Sequence, residues 1–250
     1  MEQSCSYTYS WYTDMINTIK SERYRFVDYH NWKQYSRCII LRHDIDYDIQ
    51  KAVQIARIER ACGVQSTFFV LITSDFYNVF SQASRIALQE IVDCGHEIGL
   101  HFDEARYPDL EINEIKEKII NECELLGKAI TRRITTVSMH RPSKAILEAD
   151  LQIPGTINSY GYEYFHSFKY ISDSRRRWRE FPENIIKSGK FNRLHLLIHA
   201  FWYNEEELSL HDSLLSFIND GSVSRYKIMN NNFTNLSDEV SVEEVFGGRA

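Results

Sequence analysis

Cys38-Ile39-Ile40-Leu41-Arg42-His43-Asp44-Ile45-Asp46 is the stretch on which the reading of this chain turns. Its apolar start reads as a buried strand. Its end offers carboxylates at i and i+2, which leave a strand on the same face. Asp44 and Asp46 held together at a strand end repel each other, and a bound cation relieves that repulsion. The plainer alternative is an acidic turn into a helix that starts near Gln50 and is capped by Asp48.

Further polar clusters bear on that choice, and each carries a histidine. They are Gly95-His96-Glu97-Ile98-Gly99-Leu100-His101, then Thr135-Thr136-Val137-Ser138-Met139-His140 running into Arg141-Pro142-Ser143, then Leu194-His195-Leu196-Leu197-Ile198-His199 running into Ala200-Phe201-Trp202-Tyr203. In barrels and open α/β sheets the carboxyl ends of strands converge on the site. Asp and His side chains offered at several such ends are what a metal hydrolase needs.

The intervening segments read as helices. Residues 49–61 place Ile49, Val53, Ala56 and Ile58 among charged side chains, and Gly63 follows. A buried strand is expected over 67–72, a helix over 81–94, a short strand over 96–101, a helix over 111–126 ended by Gly127, and a strand over 134–140. This alternation implies a parallel sheet with right-handed crossovers. Residues 8–35, rich in Tyr and Trp, read as a helix and short connection closing one end of the core. Beyond 150 the pattern weakens: a long loop over 150–182, a helix near 182–188, a strand over 194–199, and a polar tail from Met229 with no assigned structure. No Pro/Gly/Ser-rich linker divides the chain. One α/β domain is expected, with a core over about 38–205, a helical cap over 1–37 and a tail from about 229.

Composition narrows the class. In 250 residues, 43% hydrophobic and 26% charged is ordinary for a globular protein, and a formal charge of −6 argues against general nucleic-acid binding. No apolar stretch reaches the length of a membrane span. Cys5, Cys38, Cys62, Cys94 and Cys123 form no C-x-x-C pair, and Met1-Glu2-Gln3-Ser4 does not begin a secretory signal. On these grounds a cytoplasmic location is expected.

Strand parity selects among the histidines. His101 shares a face with Glu97 and Gly99, whereas His96 faces the other way and reads as structural. His195 and His199 share a face, with His199 at the carboxyl end and His195 deeper in the core. Arg141 reads either as a surface salt bridge or as an arginine that orients a carboxylate in the site. Arg175-Arg176-Arg177-Trp178-Arg179 reads as a solvated loop, or as charge and a stacking plane for a sugar beside a phosphate. There is no P-loop and no glycine-rich nucleotide fingerprint.

Together these segments resemble the NodB-homology polysaccharide deacetylases, in particular the branch whose first motif reads Arg-His-Asp-Val/Ile-Asp, over roughly residues 38–205. The resemblance implies a distorted (β/α) barrel. It places Asp44 as catalytic base, Asp46 and His101 as metal ligands, and Arg141 as the arginine that steadies the base. Asp173, with Trp178, would hold that arginine, and His199 would be the general acid. The family's second metal histidine falls on Ala105, so His140 is the candidate third ligand, with Asp103 next.

The function implied is a divalent-metal hydrolase, Zn²⁺ by default, that removes an N-acyl group, most simply acetyl, from a sugar of a surface-polysaccharide precursor. A cytoplasmic enzyme would meet that sugar on a nucleotide or lipid diphosphate carrier, for which Arg175, Trp178, Arg179 and Trp202 are the candidate contacts. Two alternatives share the site: a sugar-binding or assembly protein that has lost the chemistry, and amidation or amide hydrolysis at a sugar carboxylate.

Overall fold

The computed structural model describes residues 5–246. Residues up to 205 form one compact unit and those from 206 a second. The first unit holds every strand among the described residues: β1 (Arg25–Val27), β2 (Cys38–Ile45), β3 (Thr67–Val70), β4 (Glu97–Phe102), β5 (Thr136–Met139), β6 (Ile157–Asn158), β7 (Lys169–Ser172) and β8 (Arg193–Ile198). All pair in parallel, in the order β6-β5-β4-β3-β2-β8-β7. Because β3 engages only Arg42–Ile45 of β2, the first half of that edge is open, and β1 pairs there with residues 38–40.

Parallel neighbours require crossovers, and helices supply most of them. Among the described residues this unit holds α1 (Tyr9–Ser21), α2 (Ile49–Ala61), α3 (Gln82–Asp93), α4 (Ile112–Ile130), α5 (Lys144–Glu148), α6 (Tyr162–Ser167) and α7 (Pro182–Ser188). Asp48 caps α2 as expected, accepting from the backbone N–H of Gln50 at 2.7 Å. Along α4 the buried stripe Ile115, Ile119, Leu126 and Ile130 faces the core, each side chain contributing about 1.5–3 kcal/mol of burial.

β6 and β7 do not pair with each other among the described residues, so the sheet curls into an open, distorted barrel. The chain between them lays Tyr164 and Phe168 into an aromatic cluster with Tyr29, Trp32 and Phe69, which fills the interior against Cys38 and Ile40. Even-numbered residues of β2 therefore face inward. The odd-numbered His43 faces outward, where its Nε2 donates to the buried Glu59 of α2 at 2.7 Å. Tyr12 of α1 and Ser66 donate to the same carboxylate, which ties α1 and α2 to the sheet.

The expectations need three corrections here. Gly127 does not end α4. A Cβ there would lie 2.6 Å from the Arg132 carbonyl oxygen, so glycine permits a close approach inside the helix. The helix ends at Thr131, in the left-handed region at φ 56°. The stretch 150–182 is not one loop, since it contains β6, α6 and β7. The region beyond 205 is helical: α8 (Leu210–Asn230) runs through Met229, followed by α9 (Leu236–Glu239) and α10 (Val242–Phe246).

Candidate metal and catalytic site

At the carboxyl ends of β2, β4 and β5 the sequence-predicted ligands meet. One ligand atom each from Asp46, His101 and His140 falls within 4.8 Å of the others. Register explains this. Asp44, Phe69 and Gly99 lie side by side across β2, β3 and β4, and His101 lies beside Ser138 of β5. Two residues further along, with the same parity, come Asp46 and His140. Gly99 keeps the floor low: a Cβ there would be 2.5 Å from the Phe69 ring and 2.6 Å from Thr136 Oγ1.

The donor set fits a cation. His101 Nε2 and His140 Nδ1 stand 3.1 Å apart, and Asp46 Oδ1 lies 3.3 Å from the first and 3.4 Å from the second. That oxygen is buried and has no hydrogen-bond partner among the described residues. Two imidazole nitrogens and a carboxylate oxygen directed at one point are the three-ligand arrangement of a catalytic divalent site with an open position. Burial opposes ionisation of Asp46, but the imidazoles of His101 and His140, close to its carboxylate, outweigh it and hold the carboxyl below its usual range. Asp103, the alternative ligand, lies outside this cluster. It accepts from Arg141 Nη2 at 3.2 Å and from the backbone N–H of Ala105 at 3.3 Å.

Asp44 sits against the cluster, with Oδ2 3.6 Å from His101 Nε2. The arginine that holds it is Arg42, from its own strand, and not Arg141. Arg42 Nη2 donates to Asp44 Oδ2 at 2.8 Å, and Nη1 donates to Ser159 Oγ at 2.9 Å. Tyr160 OH lies 3.4 Å from Nη2. Burial opposes charge on this fully enclosed guanidinium, but the Asp44 carboxylate restores it and the arginine stays charged. Asp44 Oδ1 is buried without a partner among the described residues, which leaves one oxygen for a proton. Arg141 is instead 70% exposed and pairs with Asp103.

His199 follows β8, the strand paired with β2. Its Nδ1 donates to Asp173 Oδ1 at 2.6 Å, its backbone N–H donates to the same carboxylate, and Tyr203 OH adds a bond at 3.3 Å. Asp173 thus holds His199 and not the arginine expected of it. Nε2 is left facing the site, 3.9 Å from Asp46 Oδ2. Burial disfavours charge on His199, yet the Asp173 carboxylate and its hydrogen bond raise the imidazole to about 9.

His96, turned away by parity, and His195, set deeper in its strand, make structural bonds. His96 Nε2 donates to the Ala56 carbonyl at 3.0 Å, and Nδ1 accepts from the Ser66 backbone at 3.2 Å. His195 pairs with Tyr29 OH at 2.8 Å inside the barrel. Beside the cluster lies a cavity of about 290 Å³ lined by Asp46, Tyr47, Phe76, Arg106, His140 and Arg141, among others. None of Arg175, Trp178, Arg179 or Trp202 lines it. Trp178 packs on Trp11 at 6.0 Å between ring centroids, Arg175 and Arg179 are exposed, and Trp202 is buried. Sequence reasoning missed Arg42, Tyr47, Phe76 and Arg106 as site residues. For Arg42 a signal existed, since it shares strand parity with Asp44.

No protein-family profile and no curated protein matches the sequence. Solved structures do resemble the fold. A CE4 esterase from Streptococcus mutans aligns at TM-score 0.50 and 14% identity over 83% of this chain and 86% of that one. Peptidoglycan deacetylase PdaC from Bacillus subtilis aligns at TM-score 0.45 and 15% identity, over 79% of this chain and 98% of that one. The chitin deacetylase from the fungal pathogen Colletotrichum lindemuthianum aligns at TM-score 0.45 and 14% identity, over 73% and 81%. At such identities the likeness is one of fold. The chain therefore has the fold of the CE4 esterase and carries an Asp-His-His cluster able to hold a divalent ion. The expected cytoplasmic location is corrected: solved structures of this kind are named as a peptidoglycan deacetylase and a chitin deacetylase, and no finding places this chain in the cytoplasm. Among the described residues no helix is long and apolar enough to cross a membrane.

Proposed function

We propose that this protein is a divalent-metal-dependent hydrolase that removes an N-acyl group, acetyl in the simplest case, from an amino sugar. The observation that carries this reading is the convergence of Asp46, His101 and His140 between a held carboxylate, Asp44, and a held imidazole, His199. A divalent ion held by those three residues, Zn²⁺ by preference, supplies Lewis acidity toward the amide carbonyl and toward water. Asp44, fixed by Arg42 through Oδ2, accepts the proton of the attacking water on Oδ1. His199, kept charged by Asp173, donates from Nε2 to the departing amine nitrogen. Tyr47 and Phe76, ring centroids 5.2 Å apart on the cavity wall, offer the sugar an apolar face. The argument from a cytoplasmic location to a diphosphate-linked carrier falls with that location.

The test combines elemental analysis with acetate release from N-acetylglucosamine oligomers. About one divalent ion per chain is expected, lost in His101→Ala and His140→Ala, together with metal-dependent acetate release. Protein that takes up no stoichiometric ion when offered Zn²⁺, Co²⁺ or Mn²⁺ would refute the reading.

A further inference from the structure

Arg141 and Arg106 carry an inference that rests on the acyl-amide hydrolase reading and extends it to substrate choice. In the site as built, Arg42 holds the base, which leaves Arg141 without that task. Instead it stands at the cavity mouth next to Arg106. Both guanidinium groups meet the same oxygen, Asp103 Oδ2, with Arg141 Nη2 at 3.2 Å and Arg106 Nε at 3.7 Å. Asp103 is 3% exposed, so a buried carboxylate sets these cations side by side from behind. The second partner of Arg106, Asp75, has a side chain 74% exposed, and solvent screens so open a pair. The Nη2 bond to Asp103 leaves the remainder of the Arg141 N–H fork available for a ligand.

The backbone supports this placement. Arg141 has φ 49°, in the left-handed region, and is followed by Pro142, which disfavours helical backbone before it. In an extended strand, consecutive side chains would point to opposite faces. The left-handed turn at Arg141, just after His140 is pinned by its backbone N–H to the Phe102 carbonyl at 2.7 Å, lets neighbouring residues line one cavity. Strained backbone of this kind persists where a site requires it.

We propose that Arg141 and Arg106 form an anion-binding subsite at the rim of the cavity, selecting acylamino sugars that also carry a carboxylate or phosphate. Guanidinium forks bind planar oxyanions through paired, charge-assisted bonds, and Asp103 holds these ready for one. An arriving anion competes with the exposed Asp75 carboxylate for Arg106 and binds the open side of Arg141.

Calorimetric binding of N-acetylglucosamine, N-acetylmuramic acid and N-acetylglucosamine 6-phosphate tests this, with the last two separating carboxylate from phosphate. Wild-type protein is expected to bind at least one acidic sugar about tenfold or more tightly than the neutral one. Arg141→Gln and Arg106→Gln should each shrink that ratio about tenfold, and added salt should also shrink it. Arg141→Lys, which keeps the charge but not the fork, should recover only part of the ratio. The inference is overturned if no acidic sugar is preferred, if no sugar binds, or if the arginine variants weaken neutral and acidic sugars equally. Acetate release from the same sugars keeps the failures apart. A persisting acidic preference with no hydrolysis refutes the hydrolase and keeps the subsite, whereas hydrolysis without preference refutes the subsite alone.

Discussion

Asp44 and His199 flank the ligand cluster from the paired strands β2 and β8, and each is fixed by one charged partner, Arg42 for the first and Asp173 for the second. Neither belongs to the cluster of Asp46, His101 and His140. Replacing Asp44 by Asn or His199 by Gln should therefore lower kcat by about two to four orders of magnitude, the usual loss on removing a general base or acid. Metal content should stay near that of wild type. Steady-state kinetics beside elemental analysis checks both, and a variant that loses metal along with activity would reassign that residue as a ligand. Parity and resemblance made most of these residues legible in the sequence, because strand alternation alone separates His101 from His96. The partners of the charged groups were harder to read. Arg141 stands next to a proline in a motif-like context and drew the role that Arg42 fills. The left-handed turn that redirects it leaves no mark in residue order.

The long elements were legible because their apolar spacing is strong: β2 is buried along its whole length, and α2 matches its expected bounds of 49–61. β7 was not, since Ile171 alone of its residues is fully buried and the short run shows no clear alternation. The end of α4 was misplaced for another reason, since a glycine inside a helix and a glycine after one look alike in sequence. Its environment yields a prediction. Gly127→Ala gains up to about 1 kcal/mol of helix propensity, but its Cβ would press on the Arg132 carbonyl oxygen at 2.6 Å. Crowding against backbone costs about 1–3 kcal/mol, so net destabilisation is expected, read as a lower midpoint in urea unfolding. A variant more stable than wild type would show that the 131–134 turn yields at little cost.

For the whole molecule, buried ionisable groups on both faces of the sheet make stability depend on pH. Burial, reinforced by the charge of Arg42, holds His195 well below its usual range, and burial lowers His96 despite the nearby Glu59 carboxylate. Both stay neutral in the folded state while the unfolded chain takes up protons below about pH 6.5. Their stabilising effect is therefore complete above that pH and lost as pH falls through it. Glu59 adds a second, more acidic step: burial raises its pKa, but His43, His96 and Ser66 outweigh burial and lower it. Its stabilising effect is present above the ordinary carboxylate range and is lost as pH falls through its folded value. Unfolding free energy should be level near pH 7–8 and decline from about pH 6.5 downward, with a shallower decline in His195→Gln. An unchanged slope in that variant would remove His195 from the account. The barrel interior also shapes how such a protein can change. Arg42 and Asp44 ride on a single strand, so exchanges confined to the turn just after His140, short of Ser159 and Tyr160, need not disturb the proposed proton acceptor or its partner. Evolution or an engineer can then trade one mouth for another while the reacting atoms stay where they are.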